Sequence, residues 1–364
     1  MRLRHLTLKG FRNFKEIEFD FDLKTPLVVF VGPNGQGKTN LLEAIFLCGL
    51  SKSFRTSDFS DLIGFDDEFC RLEIETESED SFRNNSLRLE FIATRVPPKK
   101  TLKLNGVIKN AMDFIGNLPV VFFSPDDMTN LRDAPRFRRR YLDVMMSQLD
   151  RHYLQILLEY DHALRHRNAL LKRIRDQKSD KNELDFWDAK LADLAKKIIA
   201  EREKSVQQLV AITVRHYQII AQKDDALIMK YKRFVRPDDY LKQLEAERDR
   251  DIATGHTHSG PHRDDLSFLC NDHDMKEFAS RGEWRSLVLA LKFAEMELMR
   301  KVLKTTPLLL LDDVFSELDH LRQQYLFEGL EGVQTFVTTT HVEFLEGLDF
   351  KKTIYRINEG RGEI

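Results

Sequence analysis

Gly32-Pro33-Asn34-Gly35-Gln36-Gly37-Lys38-Thr39 sets the reading of this 364-residue chain. The octapeptide satisfies G-x-x-x-x-G-K-[ST], a pattern that arises by chance in about one chain in a hundred of this length. Its flanks fit the same reading. Leu27-Val28-Val29-Phe30-Val31 ahead of it is continuously apolar, as a fully buried strand requires, and Asn40 to Leu50 behind it carries helical periodicity. Glycines let the backbone wrap so that successive N–H groups converge on a phosphate, and the following helix N-terminus favours negative charge. Lys38 would reach the β- and γ-phosphates, and the Thr39 hydroxyl would ligate Mg²⁺.

Such a loop needs a second carboxylate at the end of another buried strand. Leu308-Leu309-Leu310-Leu311-Asp312-Asp313 provides it, with Asp312 on the metal side and Asp313 where a base or water-positioning group belongs. Downstream lie Ser316-Glu317-Leu318-Asp319 and, after a further strand, Thr338-Thr339-Thr340-His341, whose histidine is placed to touch a γ-phosphate. Ser280-Arg281-Gly282-Glu283 stands 32 residues ahead of Asp312 and opens an amphipathic helix (Leu287, Val288, Leu291). In order with the other motifs it resembles the signature of ABC-type ATPases, where one subunit's signature closes on nucleotide held by another.

The rest of the chain falls into three stretches. Residues 1–130 read as mixed α/β. Ile17, Phe19 and Phe21 alternate with charged residues, and period two returns in Leu72-Ile74, Leu87-Leu89-Phe91 and Leu102-Leu104. Asn105-Gly106 after the last of these predicts a type I′ hairpin turn. Residues 131–250 are mainly helical. Leu142, Met146, Leu149, Tyr153, Ile156, Tyr160 and Leu164 step by fours and threes, and Leu184, Trp187, Leu191, Leu194 and Ile198 resume after a polar break. Two antiparallel helices of about 30–40 residues, some 45–60 Å long, are expected there. Residues 251–364 return to α/β, with a helix over 284–303 and strands at 307–311 and 335–339. The expected fold class is α/β: an ABC-type P-loop ATPase head with an antiparallel β part and an inserted antiparallel helical arm.

Composition narrows the function. The chain is 42% hydrophobic and 32% charged, enough apolar material for a core. No apolar run approaches the ~18 residues of a membrane-spanning helix. The basic N-terminus has no apolar run behind it, so no secretory signal is expected. Cys48, Cys70 and Cys270 are odd in number and lack zinc spacing, which reads as reduced thiols in a cytoplasmic protein. Net charge is −2, but it is unevenly spread. Residues 58–80 hold ten acidic groups against Arg71, whereas residues 132–176 hold eleven Lys/Arg against six Asp/Glu. A polyanion would meet the second stretch.

Further segments sharpen the match. Leu6-Thr7-Leu8-Lys9-Gly10-Phe11-Arg12-Asn13-Phe14, Ser53-Phe54-Arg55-Thr56, Phe123-Ser124-Pro125-Asp126-Asp127-Met128, Arg136-Phe137-Arg138-Arg139-Arg140-Tyr141-Leu142-Asp143, Ser259-Gly260-Pro261-His262-Arg263-Asp264-Asp265-Leu266 and Asp312 to Asp319 together resemble the RecF family over essentially the whole length. These are bacterial recombination-repair ATPases related to the SMC proteins. The resemblance implies a two-lobed head that dimerises around two ATP molecules. It also implies binding to double-stranded, gapped or junction DNA, work with RecO and RecR to load RecA, and support of the SOS response. By motif match, Arg12 and Asn13 lie near the nucleotide, with Asn40 at the loop's end, and Arg55 faces the γ-phosphate. Ser280, Arg281, Gly282 and Glu283 act in trans, and Asp319 belongs to the D-loop. Asp313 stands where most ABC ATPases have glutamate; a carboxylate one methylene shorter holds the attacking water less well, so slow hydrolysis suited to a switch is expected.

Arg136, Arg138, Arg139 and Arg140 change faces too quickly to address one surface. Some are expected to pair with Asp133 or Asp143 and others to meet phosphates. Arg165, Arg167, Lys172, Arg173 and Arg175 on the arm are the second candidate DNA contact. His256, His258 and His262 lack convincing zinc spacing; the segment Gly260–Asp265 reads better as an interlobe or nucleotide-side element. Two rival readings use the same motifs. One is the nucleotide-binding subunit of a membrane transporter, and the other a scaffold that binds ATP without cycling.

Overall fold

The structure, a computed structural model, describes residues 1–77, 86–223, 225–345, 351–358 and 360–363; residues 78–80 of the acidic stretch lie outside them. The chain divides into two units: residues 1–128 with 288–364, and residues 129–287. The division differs from a split at residue 250. The strand Asp265–Cys270 pairs antiparallel with Leu227–Lys232, matching Leu266 to Tyr231 and Phe268 to Met229, so the chain beyond Gly255 completes a sheet of the second unit.

The first unit holds two sheets among the described residues. One is antiparallel, in the order Phe14–Asp20, Arg2–Phe11, Phe69–Glu77, Leu87–Thr94, Lys99–Leu104, Val107–Lys109. Its period-two pattern sends Leu72, Ile74 and Leu89 into the core, while Arg71, Glu73, Arg88 and Glu90 pair on the opposite face. Asn105 and Gly106 both have positive φ, 50° and 78°, the expected type I′ geometry. The other sheet runs Arg361–Glu363, Lys352–Asn358, Leu27–Val31, Thr335–Thr339, Leu308–Asp312, Val120–Phe123. All its pairings are parallel except the first. Leu27–Val31 and Thr335–Thr339 are buried at every position, which is why they read as runs rather than alternations. Phe19, Phe21, Phe30, Phe336 and Tyr355 fill the space between the sheets, Phe19 meeting Tyr355 edge to face at 5.1 Å.

In the second unit the expected first arm helix is two helices, Pro135–Leu149 and Arg151–Arg175. Asp150 breaks them: its backbone is extended (φ −139°, ψ 110°), and its carboxylate accepts the His152 N–H at 2.8 Å as an N-cap. The partner helix, Leu184–Ala221, runs 38 residues. Leu191, Leu194 and Ile198 are buried along it, as are Tyr153, Ile156 and Tyr160 of the shorter helix; Arg167 meets Asp188 and Tyr153 meets Arg202 across the pair. The three-stranded sheet of His273–Asp274, Asp265–Cys270 and Leu227–Lys232 was not expected within this unit.

A candidate nucleotide site

The phosphate loop leaves the C-terminal end of the buried strand Leu27–Val31 and runs into the helix Lys38–Leu50. Thr335–Thr339 lies between that strand and Leu308–Asp312, so three parallel strands deliver the loop, Thr338 and Asp312 to one edge. Two glycines are required by space. A Cβ at Gly32 would strike the Ile357 carbonyl, and Gly37, at φ 105°, would meet the Asn13 amide at 2.6 Å. Gly35, at φ 81°, needs glycine for its backbone alone.

Lys38 is buried and donates to the carbonyls of Gly32 at 2.6 Å and Pro33 at 2.8 Å. Burial pulls its ammonium below the ordinary lysine range, against the opposing pull of Asp313 and Asp312. Asp312 Oδ1 accepts two hydroxyls, Thr39 at 2.8 Å and Thr338 at 2.6 Å. A hydroxyl and a carboxylate oxygen at this spacing fit the hard, oxygen-seeking Mg²⁺, which takes few protein ligands and completes its shell with water and phosphate. Asp313 adopts a left-handed backbone (φ 50°), fixed by its N–H to the Thr338 carbonyl and hydroxyl, both at 3.1 Å. Its Oδ1 is buried and has no hydrogen-bond partner among the described residues. Burial and the neighbouring Asp312 raise its pKa, which Lys38 and His341 oppose. An unpaired buried acceptor is costly, and its natural partner is a donor brought by substrate or water. His341 is exposed, 3.7 Å from Glu343, with its backbone N–H held by the Thr339 hydroxyl.

A second tier orients the loop. Arg55 donates to Asn40 at 2.8 Å, Asn40 to Asn13 at 2.7 Å, and Asn13 to the Gln36 carbonyl at 2.9 Å. Arg12 grips Glu43 with two bonds, at 3.0 and 2.8 Å, and reaches the Asp61 carbonyl with a third. Glu43 is fully buried, receives the Ser53 hydroxyl, and lies 3.7 Å from Arg55. The sequence reading missed Glu43. Its signal was there: one carboxylate inside Leu41-Leu42-Glu43-Ala44-Ile45-Phe46, where an unpaired charge would be prohibitively costly.

Ser280, Arg281, Gly282 and Glu283 belong to the second unit. Ser280 N–H and Oγ both donate to Glu283 Oε2 at 2.8 Å, and Glu283 N–H returns to Ser280 Oγ at 3.2 Å. This is a capping box at the start of the helix Arg281–Leu303, and it gives Glu283 a defined part. Asp319 caps the helix His320–Glu328, accepting from Arg322 N–H at 3.0 Å and pairing with its guanidinium.

The basic residues divide. Arg138 and Arg167, expected on a DNA-facing surface, are instead interior. Arg138 is 4% exposed and makes a two-pronged pair with Asp265, at 2.7 and 2.9 Å. Arg167 is fully buried between Asp188 and Asp251, at 2.6 and 2.7 Å. Arg139 is half-buried on the Asp264 carbonyl. Asp143, an expected partner of this cluster, is taken by Arg202 and Tyr153. Arg136, Arg140, Arg165, Lys172, Arg173 and Arg175 are exposed. The segment Ser259–Leu266 is likewise a packing element of the second unit. Gly260, at φ 135°, has room only for hydrogen against the hydroxyls of Tyr240 and Tyr160. Asp264 accepts from Tyr231 and from Phe234 N–H at 2.7 Å, and His262 sits between the Tyr160 hydroxyl and the Thr257 carbonyl. These partners give the segment a packing role within the second unit.

Cys48, Cys70 and Cys270 are free. Among the described residues, no helix is long and apolar enough to cross a membrane.

The sequence profile described as the RecF/RecN/SMC N terminal domain matches residues 2–363. The chain is 37% identical to the DNA replication and repair protein RecF of Streptococcus pneumoniae over 373 residues, covering all of this chain and 99% of that protein. It is 35% identical to the protein of that name from Lachnoclostridium phytofermentans, with the same coverage. Among solved structures it is similar to the recombination mediator protein RecF with ATP in the RecFOR pathway (TM-score 0.89, 31% identity, 99% of this chain and 96% of that one). An Smc head domain from Pyrococcus furiosus shares the fold alone, at 18% identity and a TM-score of 0.55.

Proposed function

Because this chain belongs to the RecF family of SMC-type ATP-binding proteins, we propose that it serves DNA replication and repair as an ATP-gated DNA-binding homodimer. The observation that carries this reading is the convergence of Lys38, Thr39, Asp312 and the unpaired carboxylate of Asp313 at one edge of the parallel sheet. ATP would replace the Gly32 and Pro33 carbonyls as the partner of Lys38. Mg²⁺, when bound at Thr39 and Asp312, would neutralise phosphate charge. Asp313 would accept a proton from the attacking water, its raised pKa suiting that task but its short side chain making hydrolysis slow. Ser280 and Gly282 of a second copy would close on the nucleotide, so that ATP joins two copies and hydrolysis frees them.

In the same reading the homodimer holds double-stranded, gapped or junction DNA through exposed cations, works with RecO and RecR to load RecA, and supports the SOS response. The transporter reading is set aside: relatives at 35–37% identity span the full chain and are DNA replication and repair proteins. The ATP-binding scaffold remains as the second reading, and hydrolysis separates the two.

Fluorescence anisotropy of a labelled gapped duplex tests the proposal, with Mg-ATP, Mg-ADP and no nucleotide at two salt concentrations. Binding is expected with ATP alone, falling steeply with salt. Lys38→Ala abolishes it. Asp313→Asn keeps ATP-dependent binding but lowers hydrolysis by roughly 10²-fold. Equal binding in all three nucleotide states, or unchanged hydrolysis in Asp313→Asn, overturns the switch.

A further inference from the structure

His162 and His166 stand one turn apart on the exposed side of the helix Arg151–Arg175. Their rings lie 4.2 Å apart between centroids, and their Nε2 atoms face each other at 3.0 Å. The arrangement is braced from the neighbouring helix. His166 lies flat on the indole of Trp187, with ring centroids 4.9 Å apart and planes within 7°, and Phe186 supports Trp187 edge to face at 5.0 Å. Two imidazole nitrogens therefore lie within 3.0 Å of each other at the surface, and stacking holds one of the rings in place.

We infer that His162 and His166 form a binding site for a divalent transition-metal cation of the imidazole-seeking class, Cu²⁺ or Ni²⁺. With metal–nitrogen bonds of about 2.0–2.1 Å, nitrogens 3.0 Å apart subtend about 90° at the metal. That is the cis angle of square-planar and octahedral coordination, which favours Cu²⁺ and Ni²⁺ over tetrahedral Zn²⁺. Without metal, one ring's Nε2–H donates to the other ring's Nε2. On binding, that ring carries its proton on Nδ1 instead, so both ligands bind as neutral imidazoles. Among the described residues, no three His, Cys, Asp or Glu side chains gather around one point. Water therefore fills the remaining positions, and the cation is exchangeable. Bound there, it links successive turns of the arm helix beside its packing contact with Trp187.

The experiment titrates CuCl₂ into the nucleotide-free 364-residue chain and follows tryptophan emission. The chain has two tryptophans. Trp187 touches the proposed ligand, whereas Trp284 is buried with its indole N–H on the Met275 carbonyl. A saturable loss of the Trp187 share of the emission is expected, and it is absent from Trp187→Phe. His162→Gln and His166→Gln each raise the half-saturating Cu²⁺ concentration by about tenfold or more. Both side chains are exposed, so each variant stays folded; because His166 also stacks on Trp187, the metal-free melting temperature of each variant is taken as its own baseline. NiCl₂ gives a second readout, raising the melting temperature of the parent and not of either variant. Quenching that rises linearly without saturation, or saturable quenching that survives in His166→Gln, overturns the assignment.

Discussion

His262 shows how much a single side chain in this protein depends on its surroundings. The Thr257 carbonyl can only accept, so Nε2 carries the proton and Nδ1 is left to accept from the Tyr160 hydroxyl. Burial, reinforced by the cations Arg263, Arg139 and Arg202, lowers the pKa of His262 to about 4. The unfolded chain therefore binds a proton that the folded chain refuses between about pH 6.5 and pH 4. The stabilisation is fully present above that window and is lost as pH falls through it. Urea unfolding at pH 7.5, 5.5 and 4.5 is expected to show a steeper acid loss in the parent than in His262→Gln. Parallel slopes would mean that His262 titrates normally. At the nucleotide site, Glu43 and Asp313 illustrate opposite treatments of a buried carboxylate: the first is saturated by Arg12, Ser53 and Arg55, while the second keeps one oxygen open.

At the scale of the element, the signature segment is a helix start before it is anything else. Ser280 and Glu283 satisfy each other's N–H groups, so the serine proposed to face nucleotide in trans is held by the glutamate three residues on. Ser280→Ala should cost about 1 kcal/mol of stability, within the 0.5–2 kcal/mol range of cap removals. Glu283→Gln, which keeps the box, should leave the melting temperature unchanged. Chemical denaturation checks both, and equal losses in the two variants would show that charge rather than capping dominates. Asp150 makes the complementary point. One extended residue splits an arm helix that spacing alone reads as continuous, because apolar periodicity reports which face is buried and not whether the backbone is unbroken.

At the scale of the whole molecule, the basic residues serve two purposes that sequence does not separate. Arg167 is locked between Asp188 and Asp251 with no exposure, whereas Arg165, two positions away, is exposed. Arg167→Ala is expected to destabilise the protein by about 3–5 kcal/mol, because it strands two buried carboxylates. Arg165→Ala should leave stability within about 0.5 kcal/mol. If the arm meets DNA, it should also reduce the salt slope of binding by about one. Denaturation and a salt titration of anisotropy check the pair. Were Arg167→Ala to match the parent in stability but lose DNA binding, the buried-network assignment would fail.

The sequence by itself determined the P-loop ATPase fold class, the order of its motifs and the strand–loop–helix that carries Lys38. Those features are local: a buried parallel strand needs an apolar run, a phosphate loop needs glycines at fixed spacing, and a type I′ turn needs Asn105-Gly106. Family resemblance rested on the same short, ordered segments. Tertiary structure alone decided which charges are inside. Arg138 and Arg165 read alike in the sequence, yet the first meets Asp265, 127 positions away, and the second meets solvent. The partners of Glu43 and of the Gly260–Asp265 segment were opaque for the same reason, although the buried position of Glu43 itself was legible. A buried ion pair is tolerated only when its partner arrives from another element, and no local pattern records that arrival. The same holds for the unit boundary, which follows the pairing of Asp265–Cys270 with Leu227–Lys232 rather than any change of composition.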